Sequence, residues 1–191
     1  MEYERISTIG LGLLVLKALT SSPKVSKSDK RESEFLDQGS ISNMGNARLD
    51  DFISDDYGIT FKYPASWNKN PRYDNKYEGA SGFFEVAGFE GNGNNIDSAV
   101  QEQINESYKP YGTNPMVRKL TIDGQPAREI IPSEDQGELI TDRDAALVVQ
   151  YKKPMIINGV PYQYVIIWTN RENLPLVIRT FKFIQHETLN N

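Results

Sequence analysis

The chain of 191 residues contains 38% apolar residues, enough to build the core of one globular domain. Its formal net charge of −5 argues against a nucleic-acid partner, because such proteins neutralise phosphates with clustered Lys and Arg. The absence of cysteine excludes disulfides, cysteine-based zinc sites, thiol nucleophiles and a lipid-bearing cysteine.

Residues 1–19 form an apolar N-terminal segment whose centre is the run 6–16. This run has about half of the ~20 residues that a helix needs to cross a bilayer, so it resembles the apolar centre of a signal peptide. The cations follow the run instead of preceding it, which opposes export. Two interpretations stay open. As an export signal or membrane tether, the run places the protein outside the cytoplasm or at a membrane; as a mere tail, it leaves the protein in the cytoplasm.

Residues 20–51 are rich in Ser, Lys, Asp and Asn and have no sustained apolar period, which predicts a flexible polar linker. Folded character begins at Phe52. We therefore predict one domain over residues 52–185, followed by a C-terminal tail over residues 186–191.

The domain opens with a strand in which Ile59, Phe61 and Tyr63 share one face. Pro64 cannot donate a hydrogen bond to a sheet, so it ends the pairing. Trp67 follows closely enough to fold back over the apolar face. This placement favours a core role for Trp67 over a role in stacking on a ligand.

A second strand is predicted over Gly82–Phe89, and the loop after it reads EGNGNN. That loop lacks the G-x-G-x-x-G spacing of a dinucleotide site, since Ile96 stands where the third glycine would fall; we predict no cofactor. A helix follows, capped by Asn95 or Asp97. Its apolar face has the helical period and consists of Ile96, Ala99, Val100, Gln103, Ile104 and Ser107.

The remaining pattern predicts two hairpins and a closing helix. Asp123-Gly124 and Asn158-Gly159 are hairpin turn signals, each between two apolar strand patterns. The closing helix has Pro175 in its first turn and a buried face formed by Leu174, Val177, Ile178 and Phe181. Antiparallel strands with two amphipathic helices predict a layered α+β domain.

An acidic segment, residues 134–144, could act in acid–base chemistry or hold a hard cation. Its candidate site residues are Asp135, Asp142 and Asp144. The segment matches no calcium-loop motif, and charge runs are usually exposed, so the favoured interpretation is a solvated loop with no metal. Arg128 and Arg143 are its predicted pairing partners.

The segment 67–79, WNKNPRYDNKYEG, mixes aromatic and cationic residues in a predicted polar loop. Tyrosine and arginine are frequent anchors of protein interfaces. The candidate contact residues are Trp67, Arg72, Tyr73 and Tyr77. An ordinary surface loop is the favoured alternative.

Catalytic motifs are missing from the sequence. His186 is the single histidine and lies in HETLN, where Asn190 occupies the position of the second imidazole of a zinc-protease motif. A serine triad would need this histidine as its base, but it lies outside the predicted domain, and no G-x-S-x-G occurs. We predict that the protein is not an enzyme.

Four segments together resemble the PsbP-like (Mog1/PsbP) domain family, in the same order along residues 54–184. In the family, a strand ending in Tyr-Pro followed by Trp opens the domain; here these are Tyr63, Pro64 and Trp67. An aromatic segment closes it, and here this is Thr180-Phe-Lys-Phe183. The four segments are YGITFKYPASW, IDSAVQEQI, LTIDGQPAREI and LPLVIRTFKFI.

This resemblance implies an α-β-α sandwich around a central antiparallel sheet, and a non-catalytic role. Relatives of this kind include a photosystem II subunit of plants, a Ran-binding nuclear transport factor and bacterial domains on lipoproteins or behind membrane metallopeptidase modules. The chain looks most like the bacterial group, but it has neither the lipid-bearing cysteine nor the zinc motif. We therefore predict a binding or accessory module with an unknown protein partner, tethered through residues 6–16; a photosynthetic accessory subunit and an enzyme using segment 134–144 are the alternatives.

Overall fold

The computed structural model describes residues 48–91, 95–137 and 144–185. Two helices and a series of strands follow one another in these ranges. In chain order they are β1 (Leu49–Ser54), β2 (Ile59–Pro64), β3 (Asn68–Lys69), β4 (Lys76–Gly79), β5 (Gly82–Phe89), α1 (Ile96–Ile104), β6 (Met116–Ile122), β7 (Gln125–Ile131), β8 (Ala145–Ile157), β9 (Val160–Thr169), α2 (Leu174–Thr180) and β10 (Lys182–Phe183).

The strands form two antiparallel sheets. The larger has seven strands in the order β3-β4-β5-β9-β8-β7-β6, and the smaller has three in the order β1-β2-β10. Both predicted hairpins are present, as β6–β7 and β8–β9. Their turns at Asp123-Gly124 and Asn158-Gly159 have positive φ at both residues, which matches the twist of antiparallel strands.

The larger sheet buries both of its faces. Leu147 and Val149 of β8 pack in one apolar cluster with α2 and the smaller sheet, whereas Ala146 and Val148 pack in a second cluster with α1. Successive side chains of a strand point to opposite faces, so α1 and α2 lie on opposite sides of the sheet. The predicted α+β class and the α-β-α sandwich with a central antiparallel sheet are therefore confirmed.

Helix α1 is capped by Asn95, whose side-chain oxygen accepts a hydrogen bond from the Ser98 amide at 3.0 Å. Asp97, the alternative cap, instead accepts a 2.6 Å hydrogen bond from Arg128 Nε of β7. That bond lowers the pKa of the Asp97 carboxyl. Arg128 is thus a partner of α1. Its predicted pairing with the acidic segment stays a prediction, because residues 138–143 lie outside the described residues.

The smaller sheet was not predicted. Its strand β1 begins at Leu49, inside the segment assigned to the linker, and only Phe52 of this strand is buried. Strand β10 begins directly after Phe181, which was predicted as helical but has an extended backbone. Strands with so few buried residues give weak alternation, and pairing with β2 stabilises them.

Among the described residues, no helix combines the length and the apolar character needed to cross a bilayer. The predicted N-terminal segment, most of the predicted linker and the predicted C-terminal tail lie outside the described residues. The predictions for those segments stay predictions.

Candidate functional site in the β3–β4 hairpin

The segment 67–79, predicted as a polar loop, forms a short β-hairpin. Strands β3 and β4 pair antiparallel, and β4 continues the pairing to β5 at one end of the larger sheet. The residues between the strands, 70–75, are called here the 70–75 loop. This pairing divides the candidate contact residues into buried and exposed groups.

Trp67 belongs to the core. The residue is only 4% exposed, and its indole Nε1 donates a 2.9 Å hydrogen bond to Ser81 Oγ. The ring lies so close to Gly79 that a Cβ there would come within 2.5 Å of it. Trp67 therefore caps the sheet, which is the interpretation that its position in the sequence favours, and it is not available as an interface anchor.

Tyr77 is also directed toward the core. Its ring stacks on Phe84, with centroids 4.9 Å apart and an interplanar angle of 12°, and contacts Tyr63 at 5.2 Å. Because side chains alternate along β4, the neighbours Lys76 and Glu78 face the other side of the sheet. Tyr77 is half-buried, so most of its ring serves packing and not partner contact.

Asn70 closes the 70–75 loop at its base. Its amide donates to the Lys76 carbonyl at 2.8 Å, and its side-chain oxygen accepts from the Arg72 amide at 2.8 Å. Its side-chain nitrogen donates to Glu78 Oε1 at 2.6 Å. Two of these bonds tie Asn70 to strand β4, and the third ties it to Arg72 inside the loop. Together they hold the loop in one shape.

Arg72 and Tyr73 project from this loop into solvent. Tyr73 is 54% exposed, and Arg72 is exposed as well. Beneath the tyrosine lies Lys76, which is only 4% exposed; its Nζ is 5.6 Å from the Tyr73 ring centroid and 5.4 Å from that of Phe83. Such a cation–π contact stabilises the ring in place.

The charges of the hairpin are unequally compensated. Lys69 Nζ lies 3.5 Å from Asp74 Oδ1, and Lys76 Nζ lies 4.0 Å from Glu78 Oε2. Arg72 forms no ion pair with any residue in the described ranges. Among the residues that the structure describes, its guanidinium is therefore the charge of the 70–75 loop that has no ion-pair partner.

In the acidic segment, Asp135 has a structural role. Its carboxylate accepts hydrogen bonds from Ser133 Oγ and from the amide and hydroxyl of Thr113, at 2.5 to 3.1 Å. These bonds lower the pKa of Asp135 to about 2, chiefly through the Ser133 hydroxyl. The carboxylate thus ties the residues after β7 to those before β6.

Asp144 and Asp142 are not brought into a shared site with Asp135 by anything that the structure describes. Asp144 Oδ2 accepts a 2.9 Å hydrogen bond from the Arg171 amide, and Asp142 lies outside the described residues. Within residues 48–91, 95–137 and 144–185, no group of three or more His, Asp or Glu side chains is arranged to hold a metal ion. The solvated loop stays the prediction and the cation site its alternative; calorimetric titration with millimolar calcium distinguishes the two.

Sequence reasoning missed two residues of the site, Asn70 and Lys76. Asn70 precedes Pro71, a pair that favours turn initiation, so the loop itself carried a readable signal. Lys76 carried none, because a lysine beside a tyrosine in a polar stretch is expected in solvent. Its burial follows from the pairing of β4 with β5.

No protein-family model matches the chain, and no curated protein matches it. Among solved structures, the chain is similar to the solution structure of cyanobacterial PsbP (CyanoP) from Synechocystis sp. PCC 6803. The two share 14% sequence identity with a TM-score of 0.42, over 76% of this chain and 98% of the other. The PsbP-like family resemblance stays a prediction, whereas the fold class follows from the strands and helices themselves.

Proposed function

We propose that the protein is a non-catalytic binding or accessory module that acts through protein contacts, with the 70–75 loop as its contact surface. The observation that carries this proposal is the closed loop itself. It exposes Arg72 and Tyr73, and Asn70 holds its base by donating two hydrogen bonds and accepting one. Arginine and tyrosine are enriched among residues that dominate binding energy. A loop already held in shape loses less entropy on binding.

The proposal includes a PsbP-related origin and a position outside the cytoplasm, with residues 6–16 as the membrane tether. It is supported by the order of the four PsbP-like segments and by the apolar N-terminal run. Fractionation of native cells, combined with protease treatment of intact cells, tests the location. Protein that is found in the membrane fraction and cleaved from outside supports a tethered module. Protein that is soluble and protected from the protease contradicts the membrane tether, and partners would then be sought in the cytosol.

A photosynthetic accessory role would rest on the family resemblance alone. Growth of the source organism in the dark without photosystem genes would exclude it. No geometry among the described residues favours it over a general accessory module.

Site-specific photo-crosslinking in native cells tests the contact surface. A photoreactive amino acid replaces Tyr73 in the full chain, and the matched control replaces Arg179, which is exposed on α2. We expect a discrete crosslinked protein from position 73 that the control position does not give. Equal crosslinking from both positions, or none from position 73, contradicts the proposed surface.

A further inference from the structure

We infer that the 70–75 loop recognises a carboxylate of its protein partner, an Asp or Glu side chain within an otherwise apolar segment, with Arg72 as the binding group. This inference rests on the proposed function and adds the chemistry of the partner. It is carried by the charge pairing in the hairpin and by the placement of the Tyr73 ring.

The ion pairs of the hairpin indicate that the binding group of the partner is an anion. Both acids of the hairpin, Asp74 and Glu78, are within ion-pair distance of a lysine. Arg72 remains without an ion pair among the described residues, and it is exposed. A planar guanidinium binds a carboxylate through two parallel hydrogen bonds, which gives this contact both strength and direction.

The backbone around Arg72 leaves recognition to its side chain. The Arg72 amide already donates to Asn70 Oδ1 at 2.8 Å, so it is not free to bind an anion. The same bond fixes the Cα position from which the guanidinium extends. On an open loop, binding would have to order the backbone and would lose conformational entropy. At Arg72 this loss is smaller, because the backbone is already held.

The Tyr73 ring defines the rest of the contact. Lys76 Nζ approaches the ring at 5.6 Å from below, and about half of the residue stays in solvent. The exposed part of the ring offers apolar surface directly beside Arg72 in the chain. An apolar side chain flanking the partner carboxylate would pack there.

The net charge of the chain limits how acidic the partner can be. With a formal net charge of −5, the protein repels strongly anionic surfaces at a distance. A single carboxylate can still bind at short range, because salt screens the long-range repulsion. A partner segment with one carboxylate among apolar residues therefore fits better than an acidic run.

Panning of a phage-displayed random dodecapeptide library on the full chain tests the inference. The enriched peptides are synthesised, and their affinities are measured by fluorescence anisotropy. We expect Asp or Glu next to apolar residues, and an affinity that falls about tenfold or more in Arg72→Gln, since a charged hydrogen-bonded contact is lost. Arg72→Lys should restore part of the affinity. Tyr73→Ala should weaken binding, and Arg179→Gln, the matched exposed cation, should leave it unchanged.

Charge reversal provides a second, independent variant. Panning on Arg72→Glu should enrich Lys and Arg in place of acids, and its thermal melt should match the wild type because the side chain is exposed. Peptides that bind wild type and Arg72→Gln equally overturn the carboxylate inference but leave the chain a binding module. Failure to enrich any peptide also overturns it, and crosslinking from position 73 then decides the proposed function separately.

Discussion

Aromatic residues of the β3–β4 hairpin have opposite environments although they lie close together in the chain. Trp67 is buried against Gly79, Tyr77 stacks on Phe84, and Tyr73 stands in solvent over Lys76. Residue type alone could not separate them, because tyrosine and tryptophan occur both in cores and in interfaces.

Replacement of Trp67 by alanine should destabilise the fold by about 3 to 5 kcal/mol, because it removes a large buried ring and leaves a cavity. Urea denaturation of the variant measures this change. Ile53→Ala, at an exposed position, is the control and should change the free energy of unfolding by less than about 0.5 kcal/mol, as for most surface sites. A small effect of Trp67→Ala would contradict its burial.

The low pKa of Asp135 predicts a pH dependence of stability. In the unfolded chain this carboxyl has its ordinary pKa of 3.8, and in the folded protein the pKa is about 2. The unfolded state therefore binds more protons between these values, so the contribution of Asp135 is present above about pH 4 and is lost as the pH falls toward 2.

Thermal melts of wild type and Asp135→Asn from pH 2 to pH 7 measure this contribution. The melting temperature of the wild type should exceed that of the variant at neutral pH, and the difference should shrink as the pH falls. A difference that does not depend on pH would mean that the carboxylate charge has no part in the Ser133 and Thr113 hydrogen bonds.

At the scale of elements, helix α1 is attached to the sheet through both an apolar face and a charge pair. Ile96, Ala99 and Val100 are buried, and Asp97 in the first turn accepts a hydrogen bond from Arg128, which is 8% exposed. Lys119 of β6 also approaches Asp97, at 3.4 Å. An acid in the first helical turn additionally interacts favourably with the helix dipole.

Asp97→Ala should destabilise the protein by about 1 to 2 kcal/mol, since Nε of the buried Arg128 loses its acceptor and, among the described residues, only the bond to the Ala127 carbonyl is kept. The lower end is favoured because the Asp97 side chain is half exposed and solvent screens the charge. Urea denaturation measures the change, and Gln101→Ala on the exposed face of α1 should have little effect. Equal effects of the two substitutions would contradict a stabilising role of the Asp97–Arg128 pair in attaching α1 to the sheet.

The edge strands carry charges that oppose strand pairing between molecules. Strand β1 has Asp50 and Asp51, and strand β6 has Arg118 and Lys119. Charged side chains on edge strands are a common protection of sheet edges against pairing with a second copy. The small number of buried residues in these strands follows from their position at the sheet edges.

For the whole molecule, the decisive property is the burial of both faces of the larger sheet. Ile166 and Ile167 are consecutive in β9 and nearly inaccessible, yet Ile166 packs with the α1 side and Ile167 with the α2 side. The continuous apolar run in this strand reflects the two covered faces.

Ile166→Ala and Ile167→Ala should each cost about 2 to 5 kcal/mol, because each empties a different core. In a sheet with one solvated face, one of the two substitutions would cost almost nothing. Equilibrium urea denaturation measures both, with Ile53→Ala as a control at an exposed isoleucine. A change below about 1 kcal/mol for either core variant would contradict the two-layer burial.

Much of the fold could be predicted from local patterns. The period of apolar residues indicated β2, β5, α1 and α2, and the Asp-Gly and Asn-Gly pairs indicated both long hairpins. The missing cysteines and the single histidine in the tail argued against several catalytic classes. The inferences about strands, helices and turns succeed because period and turn chemistry act over a few neighbouring residues.

Only the tertiary structure decided the partners of side chains that are distant in sequence. It paired β10 with β2 and Arg128 with Asp97, and it separated the buried Trp67 and the half-buried Tyr77 from the exposed Tyr73. It also placed Lys76 under the Tyr73 ring. The physical reason is that burial and pairing energies depend on which segments meet in space, and a local pattern carries no information about that meeting.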